Sequence, residues 1–406
     1  MAAAKSAPVF TMSLMVTGNL LGAGILALPV NLGPAGMIPA AAGIVLVWAI
    51  MLASAWILAG QDDLIQGESG GLPTFFGSKM GPAAKWLAVV ADLIVFYGVL
   101  TAYLTGTTTI LTNLFILPVS KPVATLAYFV IVAGLTGFGM SLLRRCNTAI
   151  LLCMGLTFSA LVVMTLGHVE PARALPMRWG FLPAAMPVAL TAFLFHNLIP
   201  TLCREMGDRA AARRAILYGS LIGLAMNLAW TAAVFCSLPM EGPESTSLLW
   251  AYKANLPATV PLSLLLNSKT FTDIGLVFAI LSMSAAFLAN GTALQDFLLD
   301  LTSTYLHTRS KVLIWVLAFL PPLLVSIFYP GIFLVAMNVV GGVGICLLFG
   351  VLPSVLLLRQ ARGAKRLLAV VLLGLFGAVL VFEVAQQLGL THISPDLKYW
   401  AQYTGV

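Results

Sequence analysis

Charged side chains are scarce in this chain of 406 residues, since Asp, Glu, Lys and Arg together make up only 9% of it. Soluble domains carry about 25% charged residues, so this chain has too little polar surface to cover a soluble globule. Residues 6–61 and 312–358 contain no charged side chain at all, whereas 60% of the chain is hydrophobic. The composition predicts an integral membrane protein and excludes large soluble domains and nucleic-acid binding.

Cysteine is scarce as well, with five residues scattered through apolar segments. Their odd number and irregular spacing fit neither a disulfide framework nor a metal site. We therefore expect free thiols in the core, no metal and no cofactor. The formal net charge of +7 needs no nucleic acid to explain it, because basic loops hold a membrane protein at the anionic inner leaflet of the bilayer.

The apolar runs predict an all-α protein with eleven transmembrane helices, since a bilayer core requires about 20 apolar residues per span. The expected limits are 9–32, 36–60, 84–114, 122–143, 147–168, 184–203, 214–238, 272–299, 311–329, 331–358 and 367–389. The loop at 239–271 is apolar enough to fold back as a short helix over the outer face.

The distribution of basic residues predicts the orientation. Most Lys and Arg residues lie on one side of the membrane when the N-terminus is cytoplasmic, as the positive-inside rule requires. Residues 1–8 are then a cytoplasmic N-terminus, and 390–406 form a periplasmic or extracellular tail. We expect a multi-pass protein of a bacterial inner (plasma) membrane, either a monomer or a weak homo-oligomer.

The first span carries glycines at positions 18, 22 and 24 and a lone amide, Asn19. Each glycine weakens a helix by about 1 kcal/mol relative to alanine, which favours an interruption in the span. Gly18-x-x-x-Gly22 also has the spacing of close helix packing, so packing is the alternative interpretation.

The sixth span carries His196 and Asn197 at mid-membrane, followed by Pro200. The ring of Pro200 clashes sterically with the carbonyl of His196, four residues earlier in a helix. We therefore expect the helix to loosen at His196 and Asn197. A core histidine bonded to a neighbouring carbonyl is the alternative. Interruptions in spans one and six, which begin corresponding five-span blocks, are typical of an inverted-repeat transporter.

Two unwound turns expose N–H groups at one helix end and C=O groups at another, and these poles suit a zwitterion. A carboxylate is expected at the N–H groups of Gly22, Ala23 and Gly24. An ammonium group is expected at carbonyls near Asn19, Leu20, Phe193 and Phe195.

At these residues the chain resembles the hydroxy and aromatic amino acid permeases of the amino acid-polyamine-organocation superfamily, which are similar to the LeuT-type fold. The resemblance is carried by Gly18, Gly22, Ala23 and Gly24 and by the run 193–200; the family's pattern usually has glycine where Asn197 stands. It implies a 5+5 inverted repeat over residues 9–168 and 184–358, discontinuous helices 1 and 6, and an extra helix at 367–389. It further implies import of tyrosine, tryptophan or phenylalanine by proton symport and alternating access.

Candidate residues follow for each role. The substrate ring is expected against Phe193 and Phe195 of span six with Phe96, Tyr97 and Tyr103 of span three, and Asn197 and His196 complete the substrate set. The proton carrier is expected to be His196, whose ordinary pKa of about 6.5 suits reversible protonation. The acidic alternatives are Asp92, Asp273, Asp296 and Glu383.

Other functions stay open at this point. Ser282 and Ser284 of span eight offer oxygen ligands for a sodium-coupled or exchange transporter of other neutral amino acids. A channel is a more remote alternative. So is an intramembrane serine protease, because Gly67-Glu68-Ser69-Gly70-Gly71 matches the Gly-x-Ser-x-Gly string.

Overall fold

A computed structural model describes residues 9–66, 71–114, 119–136, 140–242 and 245–391, with the backbone alone for 140–148. Every regular element in these ranges is helical. The first nine are α1 Val9–Leu20, α2 Ala23–Leu32, α3 Met37–Leu58, α4 Asp62–Gln66, α5 Leu72–Met80, α6 Pro82–Leu114, α7 Lys121–Thr136, α8 Met140–Leu166 and α9 Leu182–Ala192. The next nine are α10 Ile199–Met206, α11 Arg209–Ser237, α12 Leu248–Lys253, α13 Thr259–Leu266, α14 Lys269–Tyr305, α15 Lys311–Phe328, α16 Phe333–Val339, α17 Leu352–Gln360 and α18 Ala364–Gln387. A π-helical segment, Val340–Val351, joins α16 to α17.

Within the described ranges, nine helices are long and apolar enough to cross a membrane. The bent pair formed by α1 and α2 would make a tenth, and α7 is a shorter apolar helix of 16 residues. These elements match the eleven expected runs in position. The expected number of eleven spans stays a prediction, because α7 falls short of the usual length and residues 137–139 lie outside the described part.

The outward faces of the helices are apolar. Leu156 of α8 is 72% exposed and Val381 of α18 is 69% exposed. Large apolar side chains facing outward in this number suit a lipid surface rather than water. The chain is therefore an all-helical integral membrane protein, as its composition predicts.

Small residues let the first span approach the seventh. A Cβ atom at Gly219 would lie 2.6 Å from Val16 Cβ, and one at Gly223 would lie 2.4 Å from Leu20 Cδ1. The Thr17 hydroxyl also donates to the Gly219 carbonyl at 3.1 Å. This close contact holds α1 against α11 by van der Waals packing and one interhelical hydrogen bond.

The apolar loop after α11 forms two short helices, α12 and α13. The backbone N–H of Ala258, just before α13, donates to the Leu26 carbonyl of α2 at 3.0 Å. Thr259, Val260 and Leu262 of α13 are buried. The loop therefore packs against α2, the half-helix that follows the first break.

Candidate substrate site between two broken helices

The first break separates α1 from α2, whose axes differ in direction by 52°. Gly22 is the N-cap of α2, with φ −69° and ψ −161°. A Cβ atom there would lie 3.5 Å from both the Tyr103 hydroxyl and the Ala286 Cβ. The missing side chain thus leaves the N-terminal N–H groups of α2 open to a small space bounded by α6 and α14.

The second break begins earlier than Pro200 suggests. Helix α9 ends at Ala192, and the chain is irregular from Phe193 until a single 3₁₀ turn at His196–Leu198. Pro200 is the second residue of α10, where a missing N–H costs no helical hydrogen bond. The proline therefore starts the second half-helix, and the expected loosening at His196 and Asn197 extends back to Phe193.

Three asparagine side chains, which we call the amide chain, connect the two breaks to α14. The Asn19 Nδ2 donates to the Leu194 carbonyl at 2.8 Å and to the Asn197 Oδ1 at 3.2 Å. The Asn197 Nδ2 donates to the Asn290 Oδ1 at 2.9 Å. The Asn290 Nδ2 donates to the Ala286 carbonyl at 2.9 Å and lies 3.5 Å from the Tyr103 hydroxyl. The breaks are thus joined by side-chain hydrogen bonds.

A small polar cavity lies between the breaks, with a volume of about 10 Å³. That is room for about one water molecule, so this conformation is closed around the breaks. Five of the predicted substrate residues line it, namely Asn19, Leu20, Gly22, Ala23 and Gly24. Tyr103, Thr191, Leu194 and Met337 complete the lining.

A larger cavity, which we call the vestibule, lies between α5, α6, α10 and α14 and has a volume of about 320 Å³. Asn197 reaches its wall, so the vestibule borders the amide chain. Its charged lining residues are Lys85, Asp92, Arg204, Asp296 and Asp300. Phe96, predicted as a ring contact, also lies in this wall.

Tyr97 does not join the other predicted substrate residues. It borders a separate apolar groove of about 570 Å³ between α6, α15 and α16. Its hydroxyl donates to the Leu317 carbonyl at 2.8 Å. Tyr103, one and a half turns further along α6, is the tyrosine that reaches the cavity between the breaks.

The aromatic residues of span six also pack away from that cavity. Phe193 and Phe195 are buried, and the Phe195 ring lies 4.6 Å from the His196 ring. The His196 ring lies 4.9 Å from the Phe349 ring, and its Nε2 is 3.1 Å from the Met51 carbonyl. His196 is therefore buried among aromatic rings, with a backbone carbonyl as the partner of its Nε2 and no partner at its Nδ1 among the described residues. The bond from Nε2 matches the core-histidine alternative.

The four acidic candidates have different surroundings. Asp92 is 6% exposed and lines the vestibule, with no hydrogen-bond or ion-pair partner within the described ranges. Asp296 is exposed in the same wall. Asp273 is exposed and pairs with Lys269 at 2.9 Å. Glu383 is buried against Gly342 of the π-helical segment and accepts from the Gln387 Nε2 at 2.7 Å.

The two serines proposed as sodium ligands face different neighbours. The Ser282 hydroxyl donates to the Leu21 carbonyl in the first break, whereas the Ser284 hydroxyl lies 3.0 Å from that of Tyr128. No cluster of His, Cys, Asp or Glu suited to a metal occurs in the described part of the chain. The string Gly67-Glu68-Ser69-Gly70 lies outside the described residues.

Residues that pattern analysis did not select complete the site. Asn290 is a buried amide in the apolar run of span eight, and an intramembrane polar residue of this kind is a candidate functional position. Thr191 donates to the Met337 carbonyl at 2.8 Å and so joins α9 to α16. Nothing in the sequence distinguishes Thr191, Leu194 or Met337 from their apolar surroundings.

The fold and the site together define a class: a helical integral membrane protein in which two broken helices meet at a closed polar cavity. Irregular backbone within a membrane is tolerated where it lines such a cavity. A model of the tryptophan/tyrosine permease family matches residues 5–392, and the chain belongs to this family. The resemblance inferred from the glycines of span one and the run 193–200 is thereby confirmed.

Individual relatives are similar along most of their length. The chain is 25% identical to tyrosine-specific transport system 1 of Haemophilus influenzae over 338 residues, which cover 81% of this chain and 82% of that one. It is 24% identical to a tryptophan-specific transport protein of Pseudomonas aeruginosa, with 96% and 95% coverage. It is 22% identical to the low affinity tryptophan permease of Escherichia coli K12, with 89% coverage of both.

Proposed function

We propose that this protein is a secondary active transporter that imports an aromatic amino acid, tyrosine, tryptophan or phenylalanine, by proton symport and alternating access. Membership of the tryptophan/tyrosine permease family and the similarity to tyrosine- and tryptophan-specific transport proteins support the substrate class. The observation that carries the proposal is the closed cavity between the two breaks, where helix-end N–H and C=O groups meet.

The architecture proposed with this function is a 5+5 inverted repeat over residues 9–168 and 184–358, with the eleventh helix at 367–389 outside the repeat. The N-terminus is cytoplasmic, as the basic residues favour. In that orientation the vestibule, lined by the inner ends of α6, α10 and α14, faces the cytoplasm. The loop helices α12 and α13 then cover the outer side, so the conformation described is closed outside.

The backbone of the substrate would be recognised by the two helix breaks. The carboxylate meets the N–H groups at the start of α2, because Gly22 and Gly24 carry no side chain to obstruct it. The ammonium group meets the Leu194 carbonyl and the Asn197 Oδ1, which now accept hydrogen bonds from Asn19. Substrate entry therefore requires the Asn19 amide to move aside.

The substrate ring would lie against Tyr103, Thr191, Leu194 and Met337, which line the cavity. The cavity must expand before a ring enters, since its present volume is about 10 Å³. The hydrogen bond from Thr191 to the Met337 carbonyl joins two elements on either side of that space. We propose that α9 and α16 separate when the site opens.

Proton coupling is favoured over sodium coupling by the surroundings of the candidate groups. Asp92 and Asp296 border the vestibule, through which water and protons reach them. A sodium site at the first break would need free carbonyl and hydroxyl oxygens. The Ser282 hydroxyl and the Leu21 carbonyl bring two such oxygens together, but no carboxylate lines the small cavity among its described residues.

Counterflow in proteoliposomes tests this function. Vesicles loaded with unlabelled tyrosine, tryptophan or phenylalanine should accumulate the labelled amino acid, and serine- or alanine-loaded vesicles should not. An imposed inward pH gradient should drive uptake without sodium. Exchange of small neutral amino acids alone would refute the substrate class. Uptake that needs a sodium gradient and ignores a pH gradient would refute proton coupling.

A further inference from the structure

The vestibule is large enough to hold a small molecule, and unlike the larger apolar groove beside Tyr97 it is lined by charged side chains. Its volume is about 320 Å³, against about 10 Å³ between the breaks. Pockets that hold small ligands range from about 300 to 1,000 Å³. An amino acid with an aromatic ring therefore fits the vestibule in a conformation that excludes it from the space between the breaks.

One wall of the vestibule is aromatic. The rings of Phe96 from α6 and Phe297 from α14 have centroids 6.3 Å apart and an interplanar angle of 41°. Both residues line the cavity together with the apolar side chains of Val89 and Leu301. This wall suits a planar aromatic group, which packs on phenylalanine rings in an edge or offset geometry.

The charges of the vestibule are separated rather than paired. Asp92, with 6% of its surface exposed, has no hydrogen-bond or ion-pair partner within the described ranges. The Lys85 ammonium lies 5.3 Å from the centre of the Tyr305 ring, and Arg204 makes no ion pair among the described residues. Asp296 and Asp300 are exposed at the mouth. A buried carboxylate that lacks a partner is costly, so Asp92 is suited to receive a cationic group of a ligand.

We propose that the vestibule is a second binding site for the transported aromatic amino acid, distinct from the cavity between the breaks. Asp92 takes the ammonium group, Arg204 takes the carboxylate, and the Phe96–Phe297 wall holds the ring. The inference rests on the proposed function, since it takes its ligand from there. The site holds the amino acid on its way between the breaks and the cytoplasm, because Asn197 of the vestibule wall accepts a hydrogen bond from Asn19, which lines the cavity between the breaks.

Equilibrium binding to the full chain in nanodiscs tests the role of Asp92. The probes are the amino acid that the wild type exchanges in counterflow and the corresponding arylpropionate, which lacks only the amino group. Asp92→Asn is expected to reduce the preference for the amino acid over the arylpropionate by about tenfold or more, the range of a charge-assisted contact. Phe297→Ala is expected to weaken the binding of both probes to a similar extent.

Two matched variants serve as controls. Glu170→Gln removes an exposed carboxylate that pairs with Arg173, and Phe328→Ala removes a ring that is 72% exposed. Both should bind the two probes as the wild type does. An Asp92→Asn variant that folds normally and keeps the full preference for the amino group would overturn the assignment of Asp92.

Thiol protection tests the location of the bound amino acid. Thr201 lines the vestibule, so Thr201→Cys should react with a polar maleimide above the background of the five native cysteines. The amino acid should slow this reaction in the wild-type background, and adding Asp92→Asn should raise the half-protecting concentration by about tenfold. Equal protection with and without Asp92 would overturn the role of Asp92, and no protection in either background would overturn the vestibule site.

The two proposals fail in different ways. If the wild type exchanges no aromatic amino acid in counterflow, the proposed function is wrong. If the wild type exchanges one, yet Thr201→Cys reacts at the same rate with and without it, the proposed function stands and the vestibule site is wrong.

Discussion

The Tyr97 hydroxyl donates to the backbone carbonyl of Leu317 at 2.8 Å. Leu317 lies four residues before Pro321, which has no N–H to offer in the usual helical hydrogen bond. Tyr97 therefore supplies the missing donor from the neighbouring helix α6. Tyr97, which the sequence predicts as a substrate contact, is thus bonded to a proline-containing span in this conformation.

Tyr97→Phe and Tyr103→Phe should consequently have different effects. Tyr97→Phe leaves the Leu317 carbonyl without a donor in an apolar region, so we expect a loss of about 1–3 kcal/mol in the free energy of unfolding. Its KM for uptake should stay near the wild-type value. Tyr103→Phe alters the lining of the substrate cavity and should change KM by severalfold with little effect on stability. Thermal unfolding and uptake kinetics distinguish them, and a KM change confined to Tyr97→Phe would contradict this assignment.

Gly22 and Gly24 provide a second matched pair. A Cβ atom at Gly24 would lie 2.5 Å from the Ala192 Cα, a backbone atom that cannot rotate away, so Gly24→Ala should disrupt the contact of α2 with α9 and reduce folded yield. A Cβ atom at Gly22 would meet only ordinary contacts at 3.5 Å, and its backbone angles suit alanine.

Gly22→Ala should therefore fold normally. It should nevertheless bind substrate more weakly, because its methyl group fills the space in which the carboxylate approaches the N–H groups of α2. Size-exclusion profiles report folding, and substrate binding in nanodiscs reports affinity. Gly22→Ala with wild-type affinity would show that the carboxylate binds elsewhere.

Asn197→Ala should weaken substrate binding, because it removes a proposed ammonium acceptor and the link from Asn19 to Asn290. A hydrogen bond to a charged group contributes about 1.5–3 kcal/mol, which corresponds to a loss in affinity of about tenfold or more. Asn113→Ala is the control, since the Asn113 amide donates only to the Thr109 carbonyl of its own helix. Equal affinities for the two variants would remove Asn197 from the site.

His196 should prove structural rather than proton-carrying. His196→Ala opens a cavity between Phe195 and Phe349 and removes the partner of the Met51 carbonyl, so we expect a destabilisation of about 2–4 kcal/mol. His196→Gln retains an N–H donor and should keep substrate-driven proton uptake, measured with a pH-sensitive dye inside the vesicles. Loss of proton uptake by a folded His196→Gln variant, with substrate exchange retained, would restore His196 as the carrier.

The sequence was sufficient to predict both helix breaks. Glycines at 18, 22 and 24 and the proline at 200 act on the local backbone, so their consequences follow from the chain alone. The residue at which the second break begins was harder to predict from the sequence, because Pro200 fits either a kink inside a helix or the start of a new helix. Only the packing of α9 and α10 decides between these.

The directions in which individual side chains point were harder to predict from the sequence. On helix α6, Thr101, Thr105 and Thr108 share a face with Tyr97, so the polar residues of the sequence alone favour Tyr97 over Tyr103 as the tyrosine that points to the site. The irregular residues 193–195 break the helical periodicity before His196, so the direction of its ring cannot be extrapolated from α9. Ser282 and Ser284 point to nearly opposite sides of their helix, because two successive residues turn the chain by about 200° around the helix axis. Their spacing alone could therefore have excluded a shared role as ligands of one ion.

The amide chain bears on how quickly such a carrier can turn over. After releasing its cargo, an alternating-access protein must return empty, and bare carbonyls at a mid-membrane break would make that step costly. In this conformation the Asn19 side chain donates to the Leu194 carbonyl and the Asn197 oxygen. Under the proposed mechanism, Asn19 would thus replace the ammonium group in the unloaded protein and lower the barrier to the return half of the cycle.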